Sequence, residues 1–191
     1  MFFIHRDFLH PKYWALALVL SVFWLITRLP YSRQIALGRG IGSLIFRHYK
    51  RARKVIVKNI GLCFPELSKT EQATLASHSA SELGVSIMET FLVWFRNIDK
   101  FLSGRVQFEG MPHFDKAIEQ ERGIILLSCH FGSVDLNAAL LSSLDRKNKR
   151  FVATFRQTNE IVNRFLRSAR GKYCEKLIPS NQQREIVKEL K

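Results

Sequence analysis

The chain holds only three cysteines, Cys63, Cys129 and Cys174, an odd and widely spaced set with no CxxC pair. That spacing argues against a disulfide framework and against a zinc site, and it fits a reducing compartment. Acidic residues are scarce as well. There are 16 Asp and Glu against 30 Lys and Arg, a formal net charge of +14, so the expected partners are anionic. Charge alone does not separate nucleic acid, an anionic bilayer, phosphorylated lipids and an acidic carrier protein. No recognised nucleic-acid motif accompanies the basic residues, which instead follow an apolar segment, so nucleic acid is not an expected partner. A full-length apolar run is also missing. Residues 13–27 (YWALALVLSVFWLIT) are the clearest apolar segment, short of the ~20 residues that normally cross the hydrocarbon core. They end in Arg28-Leu29-Pro30 with no small-residue cleavage site, which excludes a cleaved signal.

What is present begins with that segment. Trp14, Trp24 and Tyr31 are aromatics of the kind that settle at headgroup depth, and basic residues flank both ends. The expectation is an anchor that either spans with local thinning or lies in the interface. Gly38, Gly40 and Gly42 follow as GRGIG. Without a preceding strand and the full glycine spacing, this is a close helix packing or a bend rather than a nucleotide loop. A basic run at Arg47, His48, Lys50, Arg51, Arg53, Lys54 and Lys58 comes next and suits an anionic leaflet. Pro65 breaks the chain, and Ser68 with Glu71 makes an S-x-x-E capping box that predicts a helix start at Ser68. Leu75, Leu83, Ile87, Phe91, Trp94 and Phe95 recur at helical spacing, so residues 68–96 read as one or two amphipathic helices. Alternation in residues 105–109 predicts a short strand, and a helix is expected over 113–120.

Residues 123–129 (GIILLSC) form a continuous apolar run that predicts a strand buried on both faces of a sheet. His130 stands at its carboxyl end, and Leu136, Ala139, Leu140 and Leu144 then continue with helical periodicity. Open α/β sheets bind ligands at the carboxyl ends of their strands, which makes His130 and Asp135 the candidate catalytic pair. A turn between strand and helix brings the Asp135 carboxylate back to one imidazole nitrogen. The other nitrogen then faces a substrate hydroxyl, which supplies the nucleophile. Cys129 is expected to be a packed thiol without a role. Amides near Gly132 and Ser133 are placed either to stabilise an oxyanion or to hold a phosphate.

HPKYW at 10–14, the RLP after the anchor, NIGLCFPELS at 59–68, GIILLSCHFGSVD at 123–135 and FRQTN at 155–159 together resemble the lipid A biosynthesis lauroyl/myristoyl acyltransferases. These sit within the wider glycerolipid acyltransferase group that shares the HX4D motif. The resemblance implies acyl transfer from an acyl-carrier-protein thioester to a hydroxyl of a lipid A precursor, without metal or other cofactor. It places the catalytic part on the cytoplasmic side of the bacterial inner membrane, with an anionic phosphorylated glycolipid and inner-membrane phospholipid as partners. His130 and Asp135 match the family's catalytic pair. The family's Tyr-Arg-Pro followed by Asn reads here as Phe155-Arg156-Gln157-Thr158-Asn159, keeping the arginine without the proline. Arg156 is expected on a phosphate, with Asn159 and Arg170 as further substrate contacts and Arg164, Arg167 and Lys172 widening the positive field.

The fold class expected is α/β, with N-terminal membrane-associated helices followed by a partial glycerolipid-acyltransferase-like sheet domain. Its divisions are an anchor over 1–30, a helical, basic, membrane-proximal region over 31–100 and an α/β acyltransferase domain over 101–191. Family members continue through further strands beyond the blocks matched here. A second reading is therefore a non-catalytic remnant, or a chain that acts with a separate polypeptide.

Overall fold

Ser68 and Glu71 form the reciprocal cap that their spacing predicts. In the computed structural model the Ser68 amide donates to Glu71 Oε2 at 2.8 Å and the Glu71 amide donates to Ser68 Oγ at 3.3 Å. The Ser68 hydroxyl, and after it the Ser68 amide, hold the Glu71 carboxyl below its usual pKa by hydrogen bonding to it. The structure describes residues 10–189, apart from 103, 121–123, 127–128, 130, 145–150 and 157–159. The described part is mostly helical α/β, with a two-stranded parallel sheet. It divides into two compact units, one of Met1–Phe95 with Gly132–Val134 and the other of Arg96–Phe131 with Asp135–Lys191.

The first unit holds a short 3-10 turn, Pro11–Tyr13, then α1 (Trp14–Ile26), α2 (Tyr31–His48), α3 (Lys50–Cys63) and α4 (Lys69–Phe95). The capped segment is thus one helix of 27 residues. α2 runs antiparallel to α4, with cross-links in reverse order along the two chains. Tyr31 Oη donates to Glu89 Oε1 at 2.7 Å, Arg39 Nε donates to Glu82 Oε1 at 2.8 Å, and the Ser43 and Ser81 hydroxyls share a hydrogen bond at 2.9 Å. Burial raises the pKa of both Tyr31 and Glu89.

Small residues let these helices approach. A Cβ on Gly38 would lie 2.9 Å from Gly84 O and from Val85 Cα, and one on Gly42 would lie inside contact distance of Ala80 O. Of the two roles expected for the glycines of GRGIG, close helix packing or a bend, Gly38 and Gly42 serve close packing, while a Cβ on Gly40 would meet nothing within 4 Å.

Pro65 ends α3, and the chain turns into α4 under a buried glutamine. Gln72 Nε2 donates to the carbonyls of Phe64 at 3.0 Å and Leu67 at 3.2 Å. Gln72→Leu leaves both carbonyls without this donor, and urea unfolding should show a loss of about 1–3 kcal/mol. An unchanged midpoint would mean that the corner is held by packing alone.

α1 has 13 residues and so is about 20 Å long, short of the ~30 Å hydrocarbon core. Among the described residues no helix is long and apolar enough to cross a membrane.

The second unit contains α5 (Asp99–Leu102), α6 (Met111–Glu119), α7 (Val134–Leu144, whose first residue is grouped with the other unit), β1 (Val152–Phe155), α8 (Glu160–Arg170), β2 (Lys176–Pro179) and α9 (Gln183–Glu189). β1 and β2 are parallel, with Val152 opposite Lys176 and Phe155 opposite Pro179, and α8 makes the crossover that a parallel pair requires. Ala139, Phe155, Ala169 and Ile178 are buried, so α7, β1, α8 and β2 each contribute to the core of this unit.

Two strand expectations are not met among the described residues. Residues 105–109 have no regular structure, and neither do Ile124, Ile125, Leu126 and Cys129 of the apolar run. Far from being buried on both faces, Ile125 is 82% exposed. Among the described residues the sheet is formed instead by the later β1 and β2, which pair with each other. Cys129 shares the run's exposure, so it is not the packed thiol expected.

Candidate active site

α7 begins one residue after Ser133, and the turn before it is shaped by three local features. Gly132 has φ of 66°, the left-handed region in which glycine carries no Cβ penalty. Asn137, in the first turn of α7, donates from Nδ2 back to the Phe131 carbonyl at 3.3 Å. The buried Ser133 hydroxyl lies 3.0 Å from Thr90 Oγ1 on α4, and Thr90 itself donates to the Ser86 carbonyl at 2.9 Å. With the Thr90 proton so directed, Ser133 is the donor of the pair. His130 and Asn159 lie outside the described residues.

Asp135 occupies the second position of α7 and is buried. Its partner comes from the last residue of α8. Arg170 Nε donates to Asp135 Oδ1 at 2.6 Å and Arg170 Nη2 donates to Oδ2 at 3.0 Å, a two-point fork on a carboxylate whose side chain is 9% exposed. The fork fixes the plane of the carboxylate and supplies the positive charge that its burial demands. A carboxylate oxygen can accept more than one hydrogen bond, so the fork by itself does not exclude a donor such as an imidazole N–H. Arg170, expected on substrate, is thus placed on Asp135 of α7, and the Nη1 end of its guanidinium takes no part in the fork. Next to it, burial raises the pKa of the Cys174 thiol while the Arg170 charge opposes the rise.

Arg156 directly follows β1, at the carboxyl end of that strand, and its side chain is exposed. It takes no part in the Asp135–Arg170 pair. Arg167 sits with its guanidinium 5.6 Å from the centroid of the Phe155 ring, so it packs on β1 rather than being a purely solvated charge. Lys172 donates to the Arg96 carbonyl at 3.3 Å. The described residues contain no group of three or more His, Cys, Asp or Glu side chains able to hold a metal ion.

A strand-end arginine and a carboxylate twelve positions after the glycine that opens its apolar run do not name a reaction, but the whole sequence does place the chain. Residues 3–191 match the family model described as bacterial lipid A biosynthesis acyltransferase. The chain belongs to that family. Among its relatives is the lipid A biosynthesis lauroyltransferase of Escherichia coli K12, 37% identical over 130 residues, or 68% of this chain and 42% of that protein. The palmitoleoyltransferase of the same organism is 30% identical over 187 residues, or 97% of this chain and 60% of the relative. A lipid A biosynthesis acyltransferase of Haemophilus influenzae is 32% identical over 137 residues, covering 70% of this chain and 43% of its own length. The chain spans about half the length of the curated relatives it matches. No solved structure matches it.

Within a lipid A acyltransferase sequence, Thr90 and Asn137 were not legible as site residues. Thr90 lies 43 positions before Ser133 in a helix whose periodicity marks only its apolar face. Asn137 had a weak signal, since a polar residue in the first helical turn is well placed to return to the preceding loop.

Proposed function

We propose that this chain is the part of an acyltransferase that moves a fatty acyl group from an acyl-carrier-protein thioester to a hydroxyl of a lipid A precursor, at the cytoplasmic side of the bacterial inner membrane. The observation that carries the reading is the forked Asp135–Arg170 pair at the end of the H-x-x-x-x-D block, in a chain of this family. In this reading His130 takes the proton of the acceptor hydroxyl as its oxygen attacks the thioester carbonyl. Asp135, oriented by Arg170, stabilises the imidazolium that forms. The tetrahedral intermediate collapses by breaking the C–S bond, and His130 returns the proton to the departing thiolate. Backbone amides around Gly132 suit the oxyanion. Ser133 helps to set the turn through Thr90. Arg156 and Asn159 face the phosphorylated glycolipid, where an exposed guanidinium at a strand end suits a phosphate.

Exposure of Ile124, Ile125 and Leu126 favours a second reading, in which this chain supplies the site block to an assembly completed by another polypeptide. One assay separates the two. Membranes containing the 191-residue chain are given labelled acyl-carrier protein and a tetra-acylated lipid A precursor, and wild type is compared with His130→Ala. Transfer should fall about 10²–10⁴-fold in the variant. A folded wild-type chain that transfers nothing would sink the first reading, and activity restored by adding a second polypeptide would establish the other.

A further inference from the structure

The face of α1 turned away from its protein contacts is apolar along its whole length. Trp14, Leu18, Val19, Val22 and Leu25 are all exposed, Leu18 by 67%, and at about 100° per residue they fall on one continuous arc of the helix. The other side is occupied by protein. Leu20 is buried, and the Phe23 ring stacks on Phe91 of α4 with centroids 3.8 Å apart. A helix packed along one flank cannot be ringed by lipid, and among the described residues no helix is long and apolar enough to cross a membrane.

The charge around α1 selects the surface that covers the arc. Between residues 8 and 65 the sequence has ten Lys and Arg and no Asp or Glu. Lys12 stands just before α1, and Arg28 just after it holds its guanidinium 4.5 Å from the Trp24 ring centroid. Basic and aromatic groups at the two ends of one apolar stripe suit an anionic headgroup layer. A protein partner would need a long acidic rim to match the same segment.

We infer that α1 lies in the plane of an anionic bilayer leaflet, with the Trp14–Leu18–Val22–Leu25 stripe in the acyl boundary and Lys12 and Arg28 at headgroup level. The attachment is monotopic. This rests on the membrane placement proposed above and sharpens it, because it fixes which face meets lipid and at what depth.

Depth measurement along the helix tests it. In a chain whose three native cysteines are serine, single cysteines at positions 14, 18, 22 and 25 carry an environment-sensitive fluorophore. The labelled chains bind vesicles of phosphatidylethanolamine and phosphatidylglycerol containing shallow or deep nitroxide quenchers. In-plane binding gives four equal, shallow depths. A span would grade the depths over about 16 Å between positions 14 and 25, and that result overturns the inference. Failure of the folded chain to bind these vesicles also overturns it, as does label protection that depends only on self-association. In the unlabelled chain, Leu18→Glu with Leu25→Glu should lower the bound fraction at least about tenfold. Vesicle binding requires no acyl donor, so a chain that binds in plane yet transfers nothing would separate failure of the transfer reading from failure of this one.

Discussion

Gly42→Leu should unfold the helical unit or cost it about 3 kcal/mol or more, the upper end of what overpacking does. The reason is the nature of the obstruction. A Cβ at position 42 would run into the Ala80 carbonyl and sit 2.9 Å from Ser81 Cα, while a Cβ at position 84 would run into the Gly38 carbonyl and sit 2.6 Å from the Gly42 nitrogen. All of these are backbone atoms of regular helix, so no rotamer change relieves the contact. The helices must separate, and the Tyr31–Glu89 and Ser43–Ser81 links between them go as well. Gly40→Ala is the internal control, because its Cβ meets nothing and alanine favours helix by roughly 0.5–1 kcal/mol. Thermal unfolding followed by circular dichroism should therefore move in opposite directions for the two variants. Equal melting temperatures would mean that α2 and α4 do not cross at Gly42.

Removing the other strong pairing should be asymmetric. Arg170→Ala leaves a carboxylate whose side chain is 9% exposed without its fork, whereas Asp135→Asn leaves a guanidinium that is 33% exposed and can be hydrated. Loss of one partner of a buried pair costs ~3–5 kcal/mol, and the partial exposure of Arg170 puts Arg170→Ala near the lower end, about 3 kcal/mol. Asp135→Asn should cost clearly less. The double variant should be more stable than Arg170→Ala alone, since a neutral amide does not require the cation. Urea denaturation of the three chains measures this directly. Equal costs for the two single changes would show that the carboxylate is not desolvated by its surroundings. Asp135→Asn should also lower transfer, by weakening the hold on the imidazolium, while Gly40→Ala should leave it unchanged.

Helix boundaries were the most legible part of the fold. The cap at Ser68, the break at Pro65 and the apolar spacing up to Phe95 all act within one or two turns, so the sequence states them without reference to the rest of the chain. Gly38 and Gly42 were also readable, one helical turn apart, as a surface suited to close approach, though not as a surface for Ala80 and Gly84. The strands were not legible. GIILLSC has the composition of a buried strand, while VATF and KLIP are short and unremarkable, yet among the described residues it is these last two that pair. Apolar composition records a tendency toward burial, and pairing depends on a second segment that local pattern does not name.

The site divides along the same line. By itself the sequence determined that a histidine and an aspartate five positions apart end an apolar run and open a helix, and its blocks placed the chain among the lipid A acyltransferases. Only the tertiary structure decided that Asp135 is held by Arg170, 35 positions later, and that Ser133 is tied to Thr90, 43 positions earlier. It also decided that one flank of α1 is taken by Phe91 and the other is exposed. Spacing along the chain sets what neighbouring residues can do to one another. Which distant donor meets a buried carboxylate, and which side of an apolar helix stays open, depends on how separate elements pack.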